Sequence, residues 1–236
     1  MHPTIAIAFT AGLCVFGASY FAPGIFQPLK AAPEPTPTAT PVKPVVTLPI
    51  AEALSPNVDA RPVGTLIDAI VIHDTETPGI SEARTIANHF GNPRSQVSAH
   101  YIIGKRGEVL QCVPDDLRAW HAGPSKYQGR EKVNDFSIGI ELVNAQTGRD
   151  PFTDAQYQSL ILLTTELVAR HGIPLERIIG HREITNFPKI KRDPADNFDW
   201  NRYKMGVRLM LDTKQVQRVP APTPSGWPVR AVSPKP

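Results

Sequence analysis

Proline decides where this chain can fold. Of its 25 prolines, eight fall within residues 31–62 and six within residues 213–236. Proline lacks a backbone N–H and fixes φ, so runs of it end helices and cannot occupy central strands. Neither segment carries a periodic apolar pattern, so both are expected to be extended and solvated. The 150 residues between them, 63–212, are enough for one domain with a real core.

The N-terminal end reads differently. From Pro3 to Leu29 there is no charged residue, and Ile5–Phe21 is mostly Ala, Ile, Phe, Val and Gly. Its length fits a secretory signal or a short membrane span, so residues 1–30 are expected to be a signal or anchor, with a membrane tether through residues 4–21. Either role places the domain outside the cytoplasm, in the periplasm or cell envelope. The nearest cations, Lys30 and Lys43, follow the apolar run rather than precede it, which is unusual for export. The linker 31–62 would reach about 100 Å if fully polyproline-like.

Charge excludes one class of partner. The chain carries +3 overall, with −1 in residues 1–59 and +4 in residues 213–236, so the central domain is neutral. Duplex binding needs clustered Lys and Arg, and nucleic acid is therefore not expected as a partner. Only Cys14 and Cys112 are present, so the domain has no internal disulfide. Cys112 sits in the apolar run Val109–Val113 and reads as packing.

Periodicity sketches an α/β single domain with a mixed central β-sheet flanked by helices. Leu66–Ile72 reads as a buried strand and Ser81–Phe90 as a short helix with Ser81 as N-cap. His100–Ile103 and Val109–Val113 form a hairpin around Lys105–Glu108, and Phe136–Val143 is a further strand. Thr153 and Gln156 make a capping-box pattern opening the longest helix, which Gly172 and Pro174 end. His171, in its last turn, reads as a residue favourable to the helix dipole. A final helix is expected over Trp200–Leu211.

Three residues suggest a metal. His73 ends the first strand, His181 follows Ile178-Ile179-Gly180, and Asp193 lies twelve residues later. Two neutral imidazoles and one carboxylate would leave zinc with a fourth position for water, as in catalytic sites. A histidine at a strand end is more often packed or hydrogen-bonded, so the three need support from their surroundings. Asp196 and Asp199 rival Asp193, which is preferred because Pro194 fixes the turn behind it. Glu141 sits in the apolar strand Ser137–Val143, where a carboxylate needs a task or a salt-bridge partner, and Gly139 leaves space beside it. Lys191, two residues before Asp193, would pair with Glu141 or stabilise an oxyanion, unless it is one more surface cation.

Taken together, the segments Ile70–Thr75, Val97–Ile103, Ala119–Gly123, Asn134–Leu142, Phe152–Tyr157, Gly180-His181 and Lys191–Pro194 resemble the zinc-dependent N-acetylmuramoyl-L-alanine amidases of the type 2 amidase and peptidoglycan recognition protein family. They run in family order through about residues 66–211. The resemblance implies Zn2+ held by His73, His181 and Asp193, with Glu141 and Lys191 catalytic. It implies substrate contacts from Trp120 and His121, and from His100 rather than Tyr101. The reaction it implies is hydrolysis of the amide between N-acetylmuramic acid and L-alanine of the stem peptide, with peptidoglycan or muropeptides as partners. A non-catalytic muropeptide-binding module is the alternative, and a monomer is the expected state. Two features depart from the pattern: Ala195 replaces the usual glycine, and the loop Arg182–Phe187 is a little long. Where some members carry an arginine for the stem peptide, this chain has Gln96, leaving Lys132 as the cation.

Overall fold

The structure, a computed structural model, describes residues 47–184 and 191–213. The expected tether 4–21, the linker up to residue 46, the tail beyond residue 213 and the loop positions 185–190 lie outside the described residues. Among the described residues, no helix is long and apolar enough to cross a membrane.

In chain order the strands are β1 (Ile50–Glu52), β2 (Val58–Ala60), β3 (Ala69–Asp74), β4 (Tyr101–Ile103), β5 (Val109–Gln111), β6 (Leu117–Ala119), β7 (Lys126–Tyr127), β8 (Arg130–Glu131), β9 (Ser137–Leu142) and β10 (Ile178–Gly180). The helices are α1 (Ala83–Phe90), α2 (Asp154–His171) and α3 (Trp200–Thr213). Six strands form the central sheet in the order β1-β5-β4-β9-β3-β10. Only the β4–β5 hairpin is antiparallel within it; every other neighbour pair is parallel. The mixed sheet with flanking helices is therefore the one the periodicity predicts.

Strand alternation divides the sheet into two faces. On one, Ile70, Ile72, Ile138, Ile140 and Tyr101 pack with Leu160, Leu163 and Leu167 of α2 and with Tyr203 and Val207 of α3. On the other, Ile102 and Leu110 meet α1, while Val71 and Ile179 meet Phe136 and Ile184. His73 and Glu141 belong to this second face, since they alternate with Ile72 and Ile140.

Local signals explain the helix ends. Thr153 Oγ1 accepts from Gln156 N at 3.1 Å and Gln156 Oε1 accepts from Thr153 N at 3.1 Å, the capping box the sequence predicts. Gly172, at φ 66°, supplies the left-handed residue that stops α2. The start of α1 differs from expectation: Ser81 does not cap it. The N-cap is Glu82, without a side-chain bond, and the Glu108 carboxylate accepts from Ala83 N at 3.0 Å instead. A long-range carboxylate thus substitutes for the local hydroxyl.

The linker expectation needs correcting at its C-terminal end. β1 adds to the sheet edge beside β5, and β2 pairs with β6, both within the range read as unstructured. Prolines at 49, 56 and 62 flank these strands rather than interrupt them, and edge positions tolerate that. Arg61 then locks the segment down. Its guanidinium donates to the carbonyls of Asp115, Asn134, Asp135 and Ser137 at 2.8–3.1 Å. Burial pushes its pKa down to about 10, which still leaves it charged at neutral pH. Arg61→Ala should therefore destabilise the domain by about 3 kcal/mol, because it strips a charged donor from several carbonyls. Urea unfolding would test this, and a midpoint unchanged from wild type would contradict it.

Candidate metal centre

Parallel register brings the first two donors together. β10 runs beside β3 with Gly180 opposite Ile72, so His181 and His73 emerge side by side at the C-terminal ends of the two strands. On the other side of β3, His73 lies opposite Glu141 of β9. Carboxyl ends of parallel strands are where open α/β sheets bind ligands. Asp193 comes from the turn before α3, and that turn is pinned from several directions. Asp74 Oδ2 accepts from Ala195 N at 2.7 Å, and Asp193 O accepts from Arg182 N at 3.1 Å. The Arg182 guanidinium also donates to the carbonyls of Arg192 and Pro194.

Three donor atoms converge. His73 Nδ1 lies 3.1 Å from His181 Nδ1 and 2.9 Å from Asp193 Oδ2, and His181 Nδ1 lies 3.0 Å from the same oxygen. All three residues are at most 5% exposed. Tetrahedral zinc with donors at about 2.0–2.1 Å has donor–donor edges of roughly 3.3 Å, close to this triangle. Burial pushes the His73 imidazole down to about 4, and His181 adds to the effect. Burial would raise the Asp193 carboxyl, but its close contacts with His181 and His73 and their attraction hold it well below the usual carboxylate range. Asp193 Oδ1 is buried with no hydrogen-bond partner among the described residues. Two imidazoles and a carboxylate facing one another, with an orphaned oxygen alongside, are a donor set that fits a divalent cation. Asp196 pairs outward with Arg182 at 2.7 Å, and Asp199 caps α3 by accepting from Arg202 N. Neither rival reaches the cluster.

The donors open into a groove of about 510 Å³, lined among others by Thr75, Glu141, Lys191, Trp120, Val97 and His89. Glu141 Oε2 is buried without a hydrogen-bond partner among the described residues. Burial, reinforced by the nearby charges of Asp193 and Asp74, holds the Glu141 carboxyl well above the usual range, and Lys191 opposes the shift. The Trp120 indole Nε1 donates to Asp59 Oδ2 at 2.8 Å, so a residue of the supposed linker sets the angle of a groove wall.

Two residues expected to touch substrate do not line the groove. His100 is fully buried, and its Nδ1 accepts from Gly139 N at 2.9 Å. Alternation with Tyr101 puts it on the groove's own face, but sealed beneath His121, with ring centroids 5.7 Å apart, in the sheet's own hydrogen bonding. Lys132 is exposed but is not among the residues lining the groove; it sits at φ 57° where the chain turns towards β9. Tyr101 lies on the α2 and α3 side of the sheet, where its hydroxyl donates to Asp115 at 2.6 Å. His171 pairs with the same carboxylate at 3.1 Å, well away from the donors. Sequence reading overlooked Asp74, although a carboxylate placed by alternation on an apolar face is a signal in itself.

His100 also carries a pH signature. Burial, with Arg61 beside it, pushes its imidazole down from the ordinary 6.5 to about 3. Between those values the unfolded chain takes up a proton that the folded one refuses, so stability falls as pH falls from 6.5 towards 3. His100→Asn retains an acceptor for Gly139 N and removes the titration. Urea unfolding of both metal-free proteins should show wild type losing more stability over that window; parallel losses would refute this.

A mixed sheet that carries a His-His-Asp cluster at its carboxyl edge, beside a half-buried glutamate, has the donor set of a hydrolase site. A family profile described as N-acetylmuramoyl-L-alanine amidase matches residues 63–196, and the chain belongs to that family. It is 39% identical over 164 residues to the 1,6-anhydro-N-acetylmuramyl-L-alanine amidase AmpD of Citrobacter freundii, covering 64% of this chain and 86% of that one. A crystal structure of a selenomethionine AmpD derivative superposes with a TM-score of 0.60 at 39% identity, covering 67% of this chain and 94% of that one. The Escherichia coli amidase AmiD, solved with the substrate anhydro-N-acetylmuramic acid-L-Ala-D-gamma-Glu-L-Lys, gives a TM-score of 0.52 at 31% identity. That match covers 62% of this chain and 60% of that one.

Proposed function

We propose that this chain is a zinc-dependent hydrolase of the amide between the lactyl group of N-acetylmuramic acid and L-alanine of a stem peptide. The observation that carries the reading is the triangle of His73 Nδ1, His181 Nδ1 and Asp193 Oδ2, opening beside Glu141 into the groove. Those three residues would hold the ion. Zinc bound there supplies Lewis acidity, polarising the scissile carbonyl and bringing the pKa of water to near 7.

The protein's own groups do the rest. Glu141 takes a proton from the attacking water and delivers it to the departing amide nitrogen, so the C–N bond breaks as an amine and a carboxylate form. A carboxyl held above its usual range by burial is better matched to that exchange near neutral pH than an ordinary glutamate. Lys191, on the groove wall, offers positive charge to the oxyanion of the tetrahedral intermediate. Trp120 presents its ring to substrate, since its N–H is engaged by Asp59.

Muropeptides are the proposed substrates, by analogy with AmpD and with AmiD in its complex. The apolar run at residues 5–21 supports an exported domain tethered in, or processed at, the cell envelope, which would place it near intact wall as well as soluble fragments. Incubating the full chain with purified sacculi and, separately, with anhydro-muropeptides, followed by mass analysis, tests the reading. Free peptides beginning at L-alanine should appear, vanish with a chelator and return with zinc. Tight binding with no peptide released would instead make the chain a recognition module.

A further inference from the structure

His121 has both ring nitrogens committed inside the protein and none to offer a ligand. Its Nδ1 faces His73 Nε2 at 3.0 Å, and its Nε2 faces Ser137 Oγ at 3.1 Å. Ser137 Oγ donates to the Val133 carbonyl at 2.7 Å. A carbonyl can only accept, and a serine hydroxyl has one proton to give, so the direction of the whole chain is set from that end. Ser137 must accept from His121 Nε2–H. The neutral His121 ring then has its lone pair on Nδ1, which accepts from His73 Nε2–H. His73 is left with a lone pair on Nδ1, the atom aimed at His181 and Asp193.

The backbone builds a berth for this ring. A Cβ at position 139 would lie 2.4 Å from His121 Cγ, so Gly139 is there to admit the imidazole. Asn134 Oδ1 accepts from the backbone N–H groups of both His121 and Ala122 and fixes the segment. The next carbonyl, Ala122 O, lies 3.3 Å from His181 Nε2 and favours the same tautomer in the second imidazole. One short stretch of chain therefore reaches the outer nitrogens of both histidine donors. Were the relay to run backwards, His73 Nδ1 would carry the proton and give it to Asp193, and no donor lone pair would remain there.

We propose that His121 and Ser137 are positioning residues, a proton-polarity relay that holds His73 in the Nε2–H tautomer and so frees Nδ1 to bind metal; His121 is not a substrate contact. The inference rests on the zinc reading above. Outer partners of metal-bound histidines are typically worth 10–100-fold in metal affinity.

Two measurements on the full chain decide it. Nitrogen-15 NMR of the metal-free protein should report His73 and His121 as Nε2–H tautomers, with His73 redistributing towards Nδ1–H in Ser137→Ala. Competition with a chromophoric chelator should show zinc affinity falling roughly 10–100-fold in Ser137→Ala and His121→Phe. His121→Asn, which places an acceptor oxygen near the lost Nδ1, should recover most of that loss; a purely structural role would not distinguish Asn from Phe. His73 found as Nδ1–H in the wild type overturns the proposal, as does wild-type zinc affinity in His121→Phe. If the wild type takes up no zinc, the zinc reading falls by itself and the NMR tautomers alone decide the relay. Should His121→Phe not fold, Ser137→Ala and the wild-type spectra settle the matter.

Discussion

Asp193→Ala is expected to abolish turnover on muropeptide and to leave the purified protein without zinc after dialysis. The physical reason is that, among the described residues, Asp193 Oδ2 is the anion that faces both imidazoles, at 2.9 and 3.0 Å. Without it, two nitrogen lone pairs face each other with nothing to balance a divalent charge. Lewis-acid stabilisation is worth several kcal/mol, so the loss should be roughly 10³-fold or more. The fold should survive, because the turn is held by Asp74 on Ala195 N and by the Arg182 guanidinium, not by the Asp193 side chain. Metal content and activity, read beside an unfolding curve, check all three statements. Retained activity in metal-free Asp193→Ala would end the zinc reading.

Glu141→Ala should lose turnover by roughly 10²–10⁴-fold, the usual worth of a general acid–base, while zinc content stays at the wild-type level. The two variants thus separate the ion's contribution from the carboxylate's. Stability should move the other way. Glu141 is half-buried, its Oε2 is buried without a partner among the described residues, and burial with the neighbouring acids holds its carboxyl well above the usual range. Removing such a group relieves a desolvation penalty, so Glu141→Gln should unfold at a urea concentration no lower than wild type. Activity within a few-fold of wild type in Glu141→Ala would remove this residue from the mechanism.

Much of this architecture is legible from pattern alone, for reasons that also explain the gaps. β3, β9, α2 and α3 announce themselves because each is long enough for alternation or a helical stripe to repeat, and α2 carries its capping box locally. β1 and β2 have three residues each, too few to show a period. Their stability comes from docking on β5 and β6 and from Arg61, whose four acceptors lie more than fifty positions away in sequence. Distant partners of that kind leave no local trace.

The donors were readable because residue type and strand ends coincide with a known motif; register then explains why they meet. That His100 is sealed off was not readable, since it shares the groove's face and only the fold lays His121 over it and brings Arg61 and the Gly139 N–H to its two nitrogens. His121 illustrates the same limit. Its motif places it beside the groove, but it takes the fold to show that Gly139 vacates space for its ring and that Ser137 and His73 occupy both nitrogens.

Diffraction from crystals of the zinc-loaded protein, with data collected on both sides of the zinc absorption edge, tests the central claim most directly. One anomalous peak should appear within about 2.0–2.2 Å of His73 Nδ1, His181 Nδ1 and Asp193 Oδ2, with a fourth position open to the groove. A peak held by other residues, or a triangle with no peak in protein that cleaves muropeptide, would contradict it.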